Sequence, residues 1–208
     1  VIETGIQKKP AARRLFCRRN MAEDRITPPV VYSIGHGNRG SAEFMALLAA
    51  AGADCLVDVR AYPSSKRHPQ FTRLALEPAL RAAGIRYLWE GAALGGMRSP
   101  AVDSPHTALR DPVLRGYADH MASEAFEGGI ARLGALARRQ TTVFMCAERE
   151  PAYCHRSFIA DALQLHGLRI LHVHAADDIR QHGLRPEARL QAPNRIVYDV
   201  GVQLGFTM

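Results

Sequence analysis

Five short apolar runs, separated by amphipathic stretches, limit what this chain can fold into more than any other feature. They are "VVYSI" (30–34), "CLVDV" (55–59), "IRYLWE" (85–90), "TTVFMC" (141–146) and "LRILHVHA" (168–175). Apolar and β-branched residues dominate them, as in strands covered on both faces. Between the first two, "SAEFMALLAAAG" places Phe44, Leu47, Leu48 and Ala51 at helical spacing, with Ser41 as N-cap and Gly52 as stop. A second helix over "LALEPALRAAG" stops at Gly84. Residues 112–139 read as a helix in two pieces broken at "EGG", and "RSFIADALQLHG" (156–167) as another. This alternation predicts an α/β fold, a mainly parallel sheet of five or more strands with helices on both faces in a Rossmann-like three-layer arrangement. "GAALGGMRSPAVDSPHT" reads as a long Gly/Pro-rich loop.

A length of 208 residues with 47% hydrophobic and 23% charged residues suits one globular domain, assigned to 30–208. The basic excess is uneven. Lys8, Lys9, Arg13, Arg14, Arg18 and Arg19 against Glu3 alone carry +5 of the chain's +7 within residues 1–20. Residues 1–29 are therefore expected to be a flexible basic tail. Met21 raises the alternative that the natural product starts there; a nucleic-acid-binding arm is the rival. No apolar run approaches the ~20 residues of a membrane-spanning helix, and no secretory signal opens the chain. The expectation is a cytoplasmic protein without a membrane partner. Oligomeric state is not legible.

Open α/β sheets bind ligands outside the carboxyl ends of their strands. Loops 35–40, 60–73, 91–107, 146–156 and 174–186 are thus the ones to weigh, and they hold much of the unusual chemistry. Cys146 ends a strand, and Cys154 with His155 and Arg156 opens a helix, where unpaired N–H groups favour an anion. Cys17 and Cys55 have no such company. A zinc site can be drawn from Cys146, Cys154, His155 and His36. No C-x₂₋₄-C or H-x₃₋₅-H pairing supports it, so neither metal nor cofactor is expected. A phosphatase-like anion loop fails because Arg156 lies ten positions after Cys146, with Glu148 and Glu150 between. Asp58 within an apolar strand demands a basic partner, and an arginine or histidine from a neighbouring strand end is the natural one. Arg60, Lys66 and Arg67 with Ser64 and Ser65 form a loop able to fork onto phosphate or carboxylate oxygens. Tyr62, Phe71 and Trp89, near the same strand ends, are candidates to stack on a flat ring such as a base, with a place in the core the commoner role for such aromatics.

Four segments, "YSIGHGNR", "LVDVRAYPSSKRHPQF", "IRYLWEGAALGG" and "MCAEREPAYCHRSFIADAL", occur in the order and spacing of a known set. From Val30 to His174 the chain resembles the bacterial family named domain of unknown function 488. That resemblance implies no activity. It marks motif positions only: His36, Asp58, Arg60, Pro63, Ser65, Phe71, Gly95, Gly96, Cys146, Glu148, Cys154, His155 and Arg156.

Two functions stay open. One is an enzyme with a cleft at the strand ends for an anionic, phosphate-bearing substrate, nucleotide or nucleic-acid-derived. Its catalytic candidates are Cys146, Glu148, His155 and Cys154; its anion-binding candidates are His36, Arg60, Arg67 and Arg156; Asp58, Gly95 and Gly96 give structural support. The other is a ligand- or nucleic-acid-binding module using the same basic loops without catalysis. Glu90, Glu148 and Glu150 among the arginines favour the enzyme, because a binding surface alone needs only the cations.

Overall fold

The computed structural model describes residues 27–192 and 194–201. Most of the basic tail, with Cys17 and Met21, lies outside them. The order is β1 (Val30–Gly35), α1 (Ser41–Ala50), β2 (Cys55–Asp58), α2 (Arg73–Ala82), β3 (Arg86–Trp89) and α3 (Gly91–Leu94). Then follow α4 (Pro112–His120), α5 (Glu124–Ala137), β4 (Thr142–Cys146), α6 (Arg156–Leu165), β5 (Arg169–Val173), β6 (Ile179–Gln181), β7 (Ala188–Ala192) and β8 (Arg195–Tyr198). Six strands form one sheet in the order β3-β2-β4-β1-β5-β6, parallel except for β6. The expected mainly parallel α/β sheet is therefore present, one antiparallel edge strand larger than its five apolar runs. A two-stranded antiparallel hairpin, β7-β8, stands apart from it.

Two-residue periodicity divides the core between the faces of the sheet. Ile34, Leu56, Val143, Met145 and Val173 pack with Phe44, Leu47 and Leu48 of α1 and Leu76 and Leu80 of α2. Val31, Val57, Phe144 and Ile170 pack with α3, α4, α5 and α6 through Leu94, Tyr117, Phe126, Ile130, Leu133, Phe158 and Ile159. Each of the five parallel strands is thus apolar on both sides, which is why its sequence shows no alternation. Gly52 and Gly84 end their helices in the left-handed region, at φ 65° and 75°.

Three local readings are corrected. Ser41 is the first helical residue of α1, and Gly40 takes the cap position. The break in 112–139 falls at residues 121–123 rather than at "EGG", because the Ser123 side chain accepts from Phe126 N–H and starts α5 there. Gly129 stays inside α5, and a Cβ on it would lie 2.7 Å from the Leu94 side chain. The segment read as loop contains α3, a single helical turn that packs there against α5.

Asp161 in α6 anchors the far side of the sheet, accepting from Tyr198 Oη at 2.8 Å and bonding His182 Nε2 at 2.8 Å. His182 Nδ1 then meets His172 Nε2 at 3.0 Å. With each donor assigned in turn, His172 Nδ1 is left buried and without a partner among the described residues. A proton there would create a cation beside His182, His174 and Arg156. Burial first, then these neighbours, lowers the His172 pKa to about 3. The unfolded chain takes up this proton near 6.5, the native protein only near 3. Stability contributed by neutral His172 is therefore full above 6.5 and falls as pH drops through that window, at up to about 1.4 kcal/mol per pH unit. Urea denaturation between pH 5 and 7 should show this slope in the wild type and a shallower one in His172→Gln. Equal slopes would refute the assignment.

Candidate functional site

The carboxyl ends of β1, β2 and β4 converge on a cleft of about 860 Å³. Its walls come from loop 60–68, from residues 96–97, from α4 and from the segment 146–155. Close backbone approach makes this convergence possible. A Cβ on Gly35 would lie 1.9 Å from the Glu148 carbonyl oxygen, and one on Gly95 would lie 2.7 Å from Ala61 Cα.

On the α1/α2 side, Asp58 is fully buried at the end of β2. Its Oδ1 accepts from Arg60 N–H at 3.0 Å and Nε at 2.9 Å, while Oδ2 accepts from Arg60 Nη2 at 2.6 Å and Tyr87 Oη at 2.8 Å. The basic partner that Asp58 demands is thus Arg60, two residues on in the same segment rather than at a neighbouring strand end, because period two brings it onto the same face. His36 stacks on Phe71 at 4.3 Å between ring centroids. Its Nδ1 donates to the Gly37 carbonyl at 2.9 Å, leaving Nε2 to face Arg60 Nη1 at 3.4 Å. Burial lowers the His36 pKa to about 4, with Arg60 and His68 acting in the same direction and the Gly37 bond opposing.

On the α4–α6 side, a helical turn at Pro151–Tyr153 folds the chain back so that Cys154 and His155 meet Cys146. Sulfur and ring-nitrogen atoms of the three lie within 4.8 Å of one another. His155 Nε2 donates to the Val59 carbonyl at 3.0 Å, which turns Nδ1 toward Cys146 Sγ at 3.8 Å and Cys154 Sγ at 3.7 Å. The backbone N–H of Arg156 donates to Cys154 Sγ at 3.5 Å. The sulfurs are driven apart in acidity. The bond to Cys154 and then burial hold the Cys146 thiol well above the usual range. Burial also acts to raise Cys154, yet the Cys146 bond, His155 and Arg156 outweigh it and bring that thiol well below.

Of the residues singled out in the sequence, His36, Arg60, Arg67, Gly96, Cys146, Glu148, Cys154 and His155 line the cleft. Asp58, Gly95 and Arg156 do not line it. Asp58 and Gly95 hold the strand ends from behind. Arg156 is 1% exposed and donates from Nη1 to Ser33 Oγ at 2.8 Å and from Nη2 to the carbonyls of Glu148 and Arg149 at 2.7 and 3.0 Å. Its guanidinium therefore serves the protein's own acceptors. Phe71 is covered by His36, and Trp89 Nε1 bonds the Arg60 carbonyl at 2.9 Å, so only Tyr62 of the three stacking candidates lines the cleft.

Sequence reasoning gave no role to Arg149 or Tyr117. Arg149 lies over Gly37, which leaves room with φ 52° and no side chain. Tyr117 is fully buried, donates to the Leu94 carbonyl at 2.8 Å, and has its ring centroid 5.0 Å from that of His155. The position of Arg149 inside the "CAEREPAYCH" loop was the available signal for it; Tyr117 carried only a helical-face signal that any core residue shares.

A second cavity, of about 900 Å³, lies beside β5 and β6 and includes His172, His174 and His182. Among the described residues, the only group of three or more His, Cys, Asp or Glu with ligand spacing is Cys146, Cys154 and His155. No helix of the described residues is long and apolar enough to cross a membrane. No curated protein and no solved structure matches the chain. Residues 41–163, more than half the chain, match the family described as "Domain of unknown function DUF488", and the chain belongs to that family.

Proposed function

We propose that the protein is an enzyme acting on an anionic, phosphate-bearing small molecule bound across the ends of β1, β2 and β4. The supporting observation is one cleft that joins cationic side chains to a cluster of two thiols and an imidazole. Lys66, Arg67 and Arg149 contact the anion. Arg60 lies beneath them with its charge balanced by Asp58, so it shapes the cleft more than it attracts the ligand. Tyr62 and Tyr153, 71% and 77% exposed at the rim, offer faces for a flat ring such as a base. Cys146, Cys154 and His155 supply the reacting floor, with Glu148 beside them and His36 across the cleft as acid or base candidates. Pure binding of an anion calls for none of these thiol and acid groups.

Isothermal titration with inorganic phosphate and a nucleoside monophosphate tests the anion contacts. Replacing Arg67 by alanine removes charge-assisted bonds from a partly solvated site, and the affinity should fall roughly tenfold. Unchanged affinity in both Arg67→Ala and Arg149→Ala would remove the anion from this cleft. A mass-spectrometric screen of phosphate-bearing compounds, with Cys154→Ser as control, then tests turnover. Binding without turnover across the screen would favour the non-catalytic module.

A further inference from the structure

We infer that Cys146, Cys154 and His155 form a zinc site with three protein ligands and one open coordination position facing the cleft. For its substrate, though not for the metal, this rests on the anionic-cleft reading. Zn²⁺ is bound by cysteine sulfur at about 2.3 Å and histidine nitrogen at about 2.0–2.1 Å, which sets a sulfur and a nitrogen of one tetrahedron about 3.5 Å apart. The two sulfur–Nδ1 separations of 3.8 and 3.7 Å are within a few tenths of that edge. A small contraction around an ion therefore forms the site without moving an element.

The surroundings of the three atoms favour a metal over a bare hydrogen-bonded cluster. Ligating histidines give their second ring nitrogen to a carbonyl or carboxylate, which fixes the tautomer and aims the free lone pair. His155 does this with the Val59 carbonyl across 96 residues of sequence, and the lone pair it aims meets both sulfurs. The Arg156 N–H bonded to Cys154 Sγ supplies a donor of the kind that steadies a metal thiolate. Gly96 keeps space beside the imidazole, since a Cβ there would lie 2.8 Å from His155 Nδ1. Two thiolates with an imidazole select zinc among the common divalent ions, and no fourth ligand of the described residues joins them.

Closed zinc sites have four protein ligands, while catalytic ones have three and leave the fourth place to water or substrate. All three ligands here border the cleft that Lys66, Arg67 and Arg149 also line. The open position thus falls to water or to an oxygen of the bound anion, where zinc would act as a Lewis acid on a phosphoryl oxygen.

Elemental analysis of the full chain purified without chelator, followed by Co²⁺ exchange, tests the site. One equivalent of zinc is expected, and the cobalt form should show a thiolate-to-cobalt charge-transfer band with the intense visible bands of tetrahedral geometry. Cys154→Ser and His155→Ala should each lose the charge-transfer band or the bound metal, while Arg67→Ala retains both. Gly96→Ala keeps every ligand and should bind zinc about 10–100-fold more weakly by displacing the imidazole. Circular dichroism of Gly96→Ala separates this from unfolding. A wild-type chain with both thiols reduced that neither holds nor takes up zinc or cobalt would overturn the proposal, as would a Cys146–Cys154 disulfide in the purified protein. Zinc bound with no phosphate affinity would leave the metal site standing and refute the anionic cleft instead.

Discussion

Replacing Asp58 by alanine is expected to destabilise the protein by about 3–5 kcal/mol, a large fraction of the roughly 5–15 kcal/mol that holds a typical domain folded. The carboxylate is fully buried at the sheet's carboxyl edge and receives four bonds, three from Arg60 and one from Tyr87. Truncation leaves a guanidinium that is 5% exposed without a counter-charge, and a phenol without its acceptor. The large cost belongs to the orphaned partner rather than to the pair itself, because a buried ion pair gains little net energy over a well-packed apolar pair. Asp58→Leu combined with Arg60→Met should accordingly recover much of the loss, and the two single variants should be strongly non-additive. Urea denaturation of the four proteins tests this. An Asp58→Ala chain within about 1 kcal/mol of wild type would show that the Arg60 charge finds solvent, and would discard the argument.

The same pair shows what the sequence can tell and where it stops. A charged residue in "CLVDV" announces a buried partner, but points to a neighbouring strand end rather than to the same segment. The partner came from two positions along the chain, since period two carries Asp58 and Arg60 onto one side of the sheet. The five strands were legible because each is apolar on both faces. β6 and β7 were not, being short and largely exposed without a buried stripe to reveal them, and the three buried residues of β8 make too short an apolar run to stand out. The cysteines are the sharper lesson. Their eight-residue spacing matches no metal motif, and their meeting depends on one turn at 151–153 and on a histidine fixed by Val59. Local spacing carries no trace of a contact between residues 59 and 155.

Arg156 is expected to be as critical to folding as Asp58 while contributing nothing directly to ligand affinity. Its donors reach a hydroxyl of β1 and two carbonyls of the loop between Cys146 and Cys154, with no carboxylate among the described residues paired to it. Arg156→Met keeps the aliphatic stem but strands three buried or half-buried acceptors, each costing about 1–3 kcal/mol unless water reaches it. A net loss of about 3 kcal/mol or more should follow, with the steepest local effect at residues 147–153. Hydrogen exchange there should rise even under conditions where the rest of the sheet stays protected. Arg156→Lys restores the charge without the planar fork that spans Ser33 and both carbonyls, so it should rescue only part of the loss. Stability and exchange both unchanged in Arg156→Met, with weakened phosphate binding, would mean that the guanidinium turns into the cleft to hold an anion. Instability with phosphate affinity intact at low temperature would fix its task as tying the cysteine loop to β1.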